Sequence, residues 1–162
     1  MRVEVINTGT ELLLGQVTNT HVGYFGERLL ELGLRIARQG TVPDGEGIKD
    51  MLDGAVERSQ IILVTGGLGP TSDDLTREMT AEFLGLELIE DAGVMEEISC
   101  RFRDSAMDMR PANRRQAMVP EGAEVLENKN GTAPGLYLTA GTGSSLVHIF
   151  LLPGPPRELY PI

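Results

Sequence analysis

Short β-prone runs alternate along the 162-residue chain with stretches whose apolar residues recur at helical spacing, and this rhythm leaves few folds open. Arg2 to Thr8 reads as a first strand closed by Gly9. Val22, Phe25, Leu29 and Leu32 fall at i, i+3, i+7 and i+10, which predicts a helix from about Asn19 to Leu32 with Gly33 past its end. Leu34 to Val42 reads as a second strand, followed by Pro43-Asp44-Gly45. Ile48, Met51, Leu52 and Ala55 form the stripe of a helix ending near Arg58. Ile61 to Thr65 is apolar on both faces, as a strand sandwiched between helices must be. The chain is therefore expected to be an α/β protein with three layers around a mostly parallel central sheet. One domain spanning 1–162 is expected, because this length buries one sizeable core and would cramp two.

Beyond Thr65 the pattern continues. Leu75, Met79 and Phe83 mark a helix expected to start near Asp74, and a further helix runs from about Asp91 to Ser105. Pro111 suits the first turn of a short helix reaching Met118, and Pro120-Glu121-Gly122 is a turn. Asn128 to Gly135 reads as a loop before a strand at Leu136 to Thr139. Gly141 to Ser144 then closes a hairpin into Leu146 to Leu152. An end six residues after Pro156, just past a loop, is expected to mark a missing downstream region.

Charge narrows the possible ligands. Asp plus Glu number 24 against 14 Lys plus Arg, a formal net charge of −10. Nucleic acid is excluded as an expected partner, since its binding needs a basic surface to displace counterions. No apolar run approaches the roughly 20 residues of a membrane span, and no secretory leader precedes the first strand, so a cytoplasmic location is expected. Cys100 is the only cysteine, and the two histidines, His21 and His148, lack a nucleophile partner in any local motif; all three read as structural or surface residues. An acidic protein that takes a phosphate ester must hold it with backbone amides, a few placed cations or a divalent metal.

In open α/β sheets ligands bind beyond the carboxyl ends of the strands, so the loops after strands carry the chemistry. Gly66, Gly67 and Gly69 let the backbone approach an anion closely, and a following helix would aim free N–H groups at the same spot. The spacing matches neither a Walker loop nor the dinucleotide fingerprint. Thr71, Ser72, Asp73 and Asp74 could equally be helix caps. Two adjacent carboxylates beside a phosphate-shaped loop nevertheless make sense if a divalent cation sits between them, so Asp73 and Asp74 are the candidate metal ligands. Glu11, after the first strand, could be a further metal ligand, orient water or serve as a first-turn helix acid. Gly154 permits close contact with a ligand, and Thr132 lies in a turn-rich loop that could close over one. Five cations fall between Arg101 and Arg115, where they could fork onto phosphate or face a subunit or solvent.

Five motifs then occur in order: Gly9-Thr10-Glu11-Leu12-Leu13-Leu14-Gly15-Gln16, Gly66-Gly67-Leu68-Gly69-Pro70-Thr71-Ser72-Asp73-Asp74-Leu75-Thr76, Asn113-Arg114-Arg115-Gln116-Ala117, Gly131-Thr132-Ala133-Pro134-Gly135 and Leu152-Pro153-Gly154-Pro155-Pro156. Together they resemble the N-terminal, molybdopterin-binding-like domain of the CinA family of competence/damage-inducible proteins, over nearly the whole chain. The resemblance implies a molybdenum-cofactor-biosynthesis type fold and metal-dependent hydrolysis of the pyrophosphate of ADP-ribose or a related nucleotide to AMP and ribose 5-phosphate. It implies catalytic roles for Asp73, Asp74 and Glu11. Ligand contacts would fall at Gly66, Gly67, Gly69, Thr71, Thr132 and Gly154, with Mg²⁺, Mn²⁺ or Co²⁺ on Asp73 and Asp74. His21 stands where the family usually has an Asn. The deamidase domain of full-length relatives is missing from this sequence. The competing expectations are molybdopterin binding or adenylyl transfer, less well matched because the loop carries Leu68 and a double Asp, and a non-catalytic ligand-binding and oligomerisation module. A homodimer or higher homo-oligomer is expected.

Overall fold

A computed structural model describes residues 1–162. Strand β1 (Val3–Thr8) has all six residues buried. It lies between β2 (Ile36–Val42) and β3 (Ile61–Thr65), parallel to both. β3 in turn pairs in parallel with β8 (Val147–Leu152), from Ile61 opposite His148 to Thr65 opposite Leu152. β7 (Gly135–Ala140) and β6 (Glu124–Leu126) extend this edge antiparallel, giving the order β2-β1-β3-β8-β7-β6. The mostly parallel sheet expected from the sequence is present.

Period-two alternation sends side chains to two cores. Val3, Val5 and Leu63 pack on one face with Phe25 and Leu29 of helix α2 (His21–Glu31) and Leu159 of α6 (Pro156–Leu159). Ile6, Ile62, Val64, Ile149 and Leu151 face the other way, onto α3 (Gly47–Val56) and α5 (Ala92–Asp104) through Ile48, Leu52, Ala55, Val94 and Ile98. Each fully buried Ile, Leu or Val contributes about 1.5–3 kcal/mol, so the two-sided apolar runs of β1 and β3 commit them to the sheet centre. Glu4, the one acid within β1, is fully buried; Arg58 (2.6 Å) and Ser59 (3.1 Å) donate to its carboxylate.

Five short elements differ from the sequence reading. The loop after β1 contains a four-residue helix, α1 (Thr10–Leu13). Pro111–Ala117 is a 3₁₀ helix rather than an α-helix. β4 (Leu88–Glu90) and β5 (Met118–Pro120) form a separate antiparallel ribbon, and β6 is equally short. Three residues are too few for alternation to register. No helix is long and apolar enough to cross a membrane.

Candidate functional site

β1, β3 and β8 run side by side in one direction, so the loops leaving their carboxyl ends converge on one cleft of about 920 Å³. Buried hydroxyls fix where two of these loops begin. Thr8 Oγ1 donates to the Thr65 carbonyl (3.2 Å), which leaves it to accept from Thr76 Oγ1 (3.1 Å) on α4 (Thr76–Leu84). Gly66 (φ +97°) and Gly67 (φ +64°) turn the chain out of β3 with left-handed backbone. A Cβ on Gly66 would lie 2.5 Å from the Thr8 carbonyl oxygen, and one on Gly67 would run into Thr76 Oγ1. The Gly66 N–H is already spent on the Leu152 carbonyl (3.0 Å), so the amides open to a ligand lie further along the loop.

Thr71 to Asp74 do not cap the helix. Asp74 Oδ2 accepts from the Thr71 amide (2.9 Å) and hydroxyl (2.5 Å), and Asp73 Oδ1 accepts from Ser72 Oγ (3.1 Å). These bonds close a turn of their own, and α4 starts only at Thr76, with Leu75 before it and no side-chain cap. The expected helix start near Asp74 is thereby corrected. Of the first helix amides, that of Thr76 is already spent, donating to the Gly67 carbonyl (3.1 Å). The Asp74 carboxylate instead folds over Gly69, where an added Cβ would meet Oδ2 at 2.5 Å.

Arg115 holds this turn from behind. It donates to the carbonyls of Thr71 (2.5 Å) and Asp74 (3.3 Å) and to Glu78 Oε1 (2.9 Å), which also accepts from the buried Arg77 (3.0 Å). Three other arginines of the basic segment are engaged elsewhere: Arg114 with Glu90, Arg103 with Glu96, and Arg101 with the Asn128 carbonyl. Replacing Arg115 with Met removes three charge-assisted bonds at a half-buried position. Urea unfolding should show a loss of about 1–2 kcal/mol, and amide exchange over residues 71–74 should quicken.

The far wall comes from two loops. Asn128 Nδ2 donates to the Ala133 carbonyl (2.7 Å) and to Glu158 Oε2 (3.0 Å), which sets Thr132 and Glu158 on the cleft beside Gly154. Glu11, on α1, folds its carboxylate back over Gly9. Every residue predicted for the site lines this one cleft: Glu11, Gly66, Gly67, Gly69, Thr71, Asp73, Asp74, Thr132 and Gly154.

Asp44, Glu158, His21 and Gln116 are among the lining residues that were missed. Asp44 and Glu158 follow β2 and β8, so the rule of looking beyond strand ends could have found them. His21 opens α2 and Gln116 closes the 3₁₀ helix, and only tertiary packing brings them to the cleft. With Asp44 and Glu158 the wall carries five carboxylates and no Lys or Arg. His21 is half-buried, and that burial pulls its pKa below the ordinary value of 6.5, against a smaller upward pull from the Gly154 carbonyl.

A divalent cation suits this chemistry. No three acidic, His or Cys side chains converge. Asp73 and Asp74, however, each commit one carboxylate oxygen to the turn and keep the other without a protein partner. Two carboxylates completed by ligand oxygens and water is how Mg²⁺ is commonly held.

Residues 4–162 match a family model described as "Probable molybdopterin binding domain". The CinA-like protein of Akkermansia muciniphila is 48% identical over the whole chain, which spans 39% of that protein's length. The crystal structure of the protein CinA from Thermoplasma acidophilum superposes with a TM-score of 0.89 at 31% identity, covering 99% of this chain and 93% of that one. A Mycobacterium ulcerans molybdopterin biosynthesis Mog protein, 22% identical with a TM-score of 0.62 over 98% of this chain and 87% of its own, shares the fold.

Proposed function

The chain belongs to the molybdopterin-binding domain family, in its CinA-like branch, and on that premise we propose that it hydrolyses the diphosphate bond of ADP-ribose or a related nucleotide, releasing AMP and ribose 5-phosphate. The observation that carries this reading is a glycine cradle beside the adjacent Asp73 and Asp74, in a cleft with five carboxylates and no Lys or Arg. A diphosphate entering such a cleft is repelled unless a cation accompanies it. Held by the free oxygens of Asp73 and Asp74, a divalent metal would supply that charge and acidify a nearby water.

The remaining groups act through position. Gly66, by lacking a Cβ, lets the chain turn tightly, and the amides from Gly67 to Gly69 donate to charge building on phosphorus. Thr71 holds Asp74 in place. Glu11 orients the attacking water, while Thr132 and Gly154 close the wall against the nucleotide.

The test is incubation with ADP-ribose and a series of Mg²⁺, Mn²⁺ and Co²⁺, with AMP as readout. Activity is expected to vanish in excess EDTA and return with a divalent ion; full turnover in the chelator would remove the metal from the reading. Molybdopterin binding is the second reading, favoured by the family description. A molybdopterin that binds without competing with ADP-ribose, in a protein that releases no AMP, would select it.

A further inference from the structure

Neighbouring residues do not normally aim their side chains at one point, so the adjacent Asp73 and Asp74 can share an ion only if the backbone between them is held. Thr71 supplies part of that hold. Its carbonyl accepts from the Asp74 N–H (3.3 Å), while its amide and hydroxyl donate to Asp74 Oδ2. The rest comes from outside the turn, because residues 71–73 are exposed and bury nothing of their own.

The Arg115 guanidinium grips both ends of this turn. Nη1 donates to the Thr71 carbonyl (2.5 Å) and Nη2 to the Asp74 carbonyl (3.3 Å). The second N–H of Nη2 is left for Glu78 Oε1 (2.9 Å), on α4, where Arg77 also donates (3.0 Å). Arg115 is thus fixed to the helix behind the turn, and it makes no ion pair with Asp73 or Asp74.

We propose that Arg115 is a positioning residue that sets the divalent-cation affinity of Asp73 and Asp74 through the backbone of their turn. The proposal rests on the reading of these two acids as metal ligands. Geometry matters for such an ion, since Mg²⁺ demands near-octahedral ligands at about 2.0–2.1 Å. The charge of Arg115 works in the opposite sense. Arg77 and Arg115 share the single Glu78, so the cluster behind the turn carries a formal charge of +1, which repels a cation. Losing the charge alone would therefore tighten metal binding, whereas losing the grip weakens it. The sign of the change tells the two apart.

The test is a Mn²⁺ titration of the whole chain without nucleotide, read from the broadening of the amide signals of residues 69–78 in ¹⁵N spectra. Arg115→Met, Arg115→Lys and Arg114→Met proteins are compared with the parent below their melting transitions, where signals remote from the turn match. Arg115→Met should need about tenfold more Mn²⁺ for the same broadening, the low end of what losing a supporting partner of a metal ligand costs. Arg115→Lys should be weakened as well, because one ammonium nitrogen keeps the charge but cannot stand at both guanidinium positions. Arg114→Met removes an ion pair from the same 3₁₀ helix without touching the turn and should bind Mn²⁺ like the parent. Parental or tighter binding in Arg115→Met would overturn the proposal and leave the metal reading standing. Parental affinity in Arg115→Lys, or an equal loss in Arg114→Met, would overturn it too. A parent whose turn amides do not broaden at all would bring down the metal reading itself, and this role with it.

Discussion

Asp73→Asn and Asp74→Asn proteins will melt with the parent, while at least one of them loses about a hundredfold or more in ADP-ribose turnover. The fold should survive because neither acid caps α4 and neither is buried in a core. Asn at position 74 still offers one oxygen to Thr71, whose amide and hydroxyl are the only protein groups that Asp74 Oδ2 binds. The loss in rate follows from removing half the charge that would hold a cation against the diphosphate. Such stabilisation is felt mainly in the transition state and is worth on the order of 3 kcal/mol. Asp74 should be the more damaging change, since its carboxylate is half-buried over Gly69 while Asp73 is exposed. Steady-state kinetics beside thermal melts decide the matter. Parental turnover in both mutants would mean that these acids only shape the turn.

Gly66→Ala and Gly154→Ala should part company in the opposite sense. At Gly66 a methyl group would sit 2.5 Å from the Thr8 carbonyl, on backbone at φ +97°. Left-handed strain costs about 1–2 kcal/mol and forced overpacking another 1–3, so a loss near 3 kcal/mol is expected, or roughly 6–12 °C in melting temperature. Gly154 has ordinary backbone, and its nearest neighbour would be the Gly66 Cα at a comfortable 3.5 Å. Its alanine variant should therefore melt like the parent yet bind ADP-ribose at least several-fold more weakly, because the methyl group takes space a ligand would use. A Gly154→Ala protein with unchanged affinity would move the ligand off that wall.

The legible parts of this protein are those written in local pattern. β1 and β3 announced themselves by runs that are apolar on both faces, and the glycine loop by its place after such a run. That is enough to bring Glu11, Asp74 and Gly154 to one cleft without any coordinates, whereas Thr132 joined them only through the family resemblance. The function of each atom was less legible, because it depends on partners far along the chain. Thr71 to Asp74 look like helix caps in sequence, and only the start of α4 at Thr76 shows that they bind one another. Arg115 reads as one cation in a basic segment, yet it reaches back 44 residues to brace the turn. His21 is unremarkable until Thr65, on β3, is seen to pair with its Nδ1 at 3.0 Å.

The interior position of β8 has a consequence for biogenesis. A chain leaving the ribosome can pair β1 with β2 and β3 early, but β8, which covers the other edge of β3, is made only after β4 to β7. Until it arrives, Ile61 to Thr65 presents an unpaired apolar edge, the kind of surface that recruits foreign strands or holdase chaperones. The same late strand delivers Gly154 and leads into the helix carrying Glu158, so a partly synthesised protein has the glycine turn but no opposite wall. Closing that gap requires a long-range parallel pairing, the slowest kind of contact to form. Competence to bind should therefore switch on in one step once β8 has emerged, with the newborn chain most vulnerable to aggregation immediately before it.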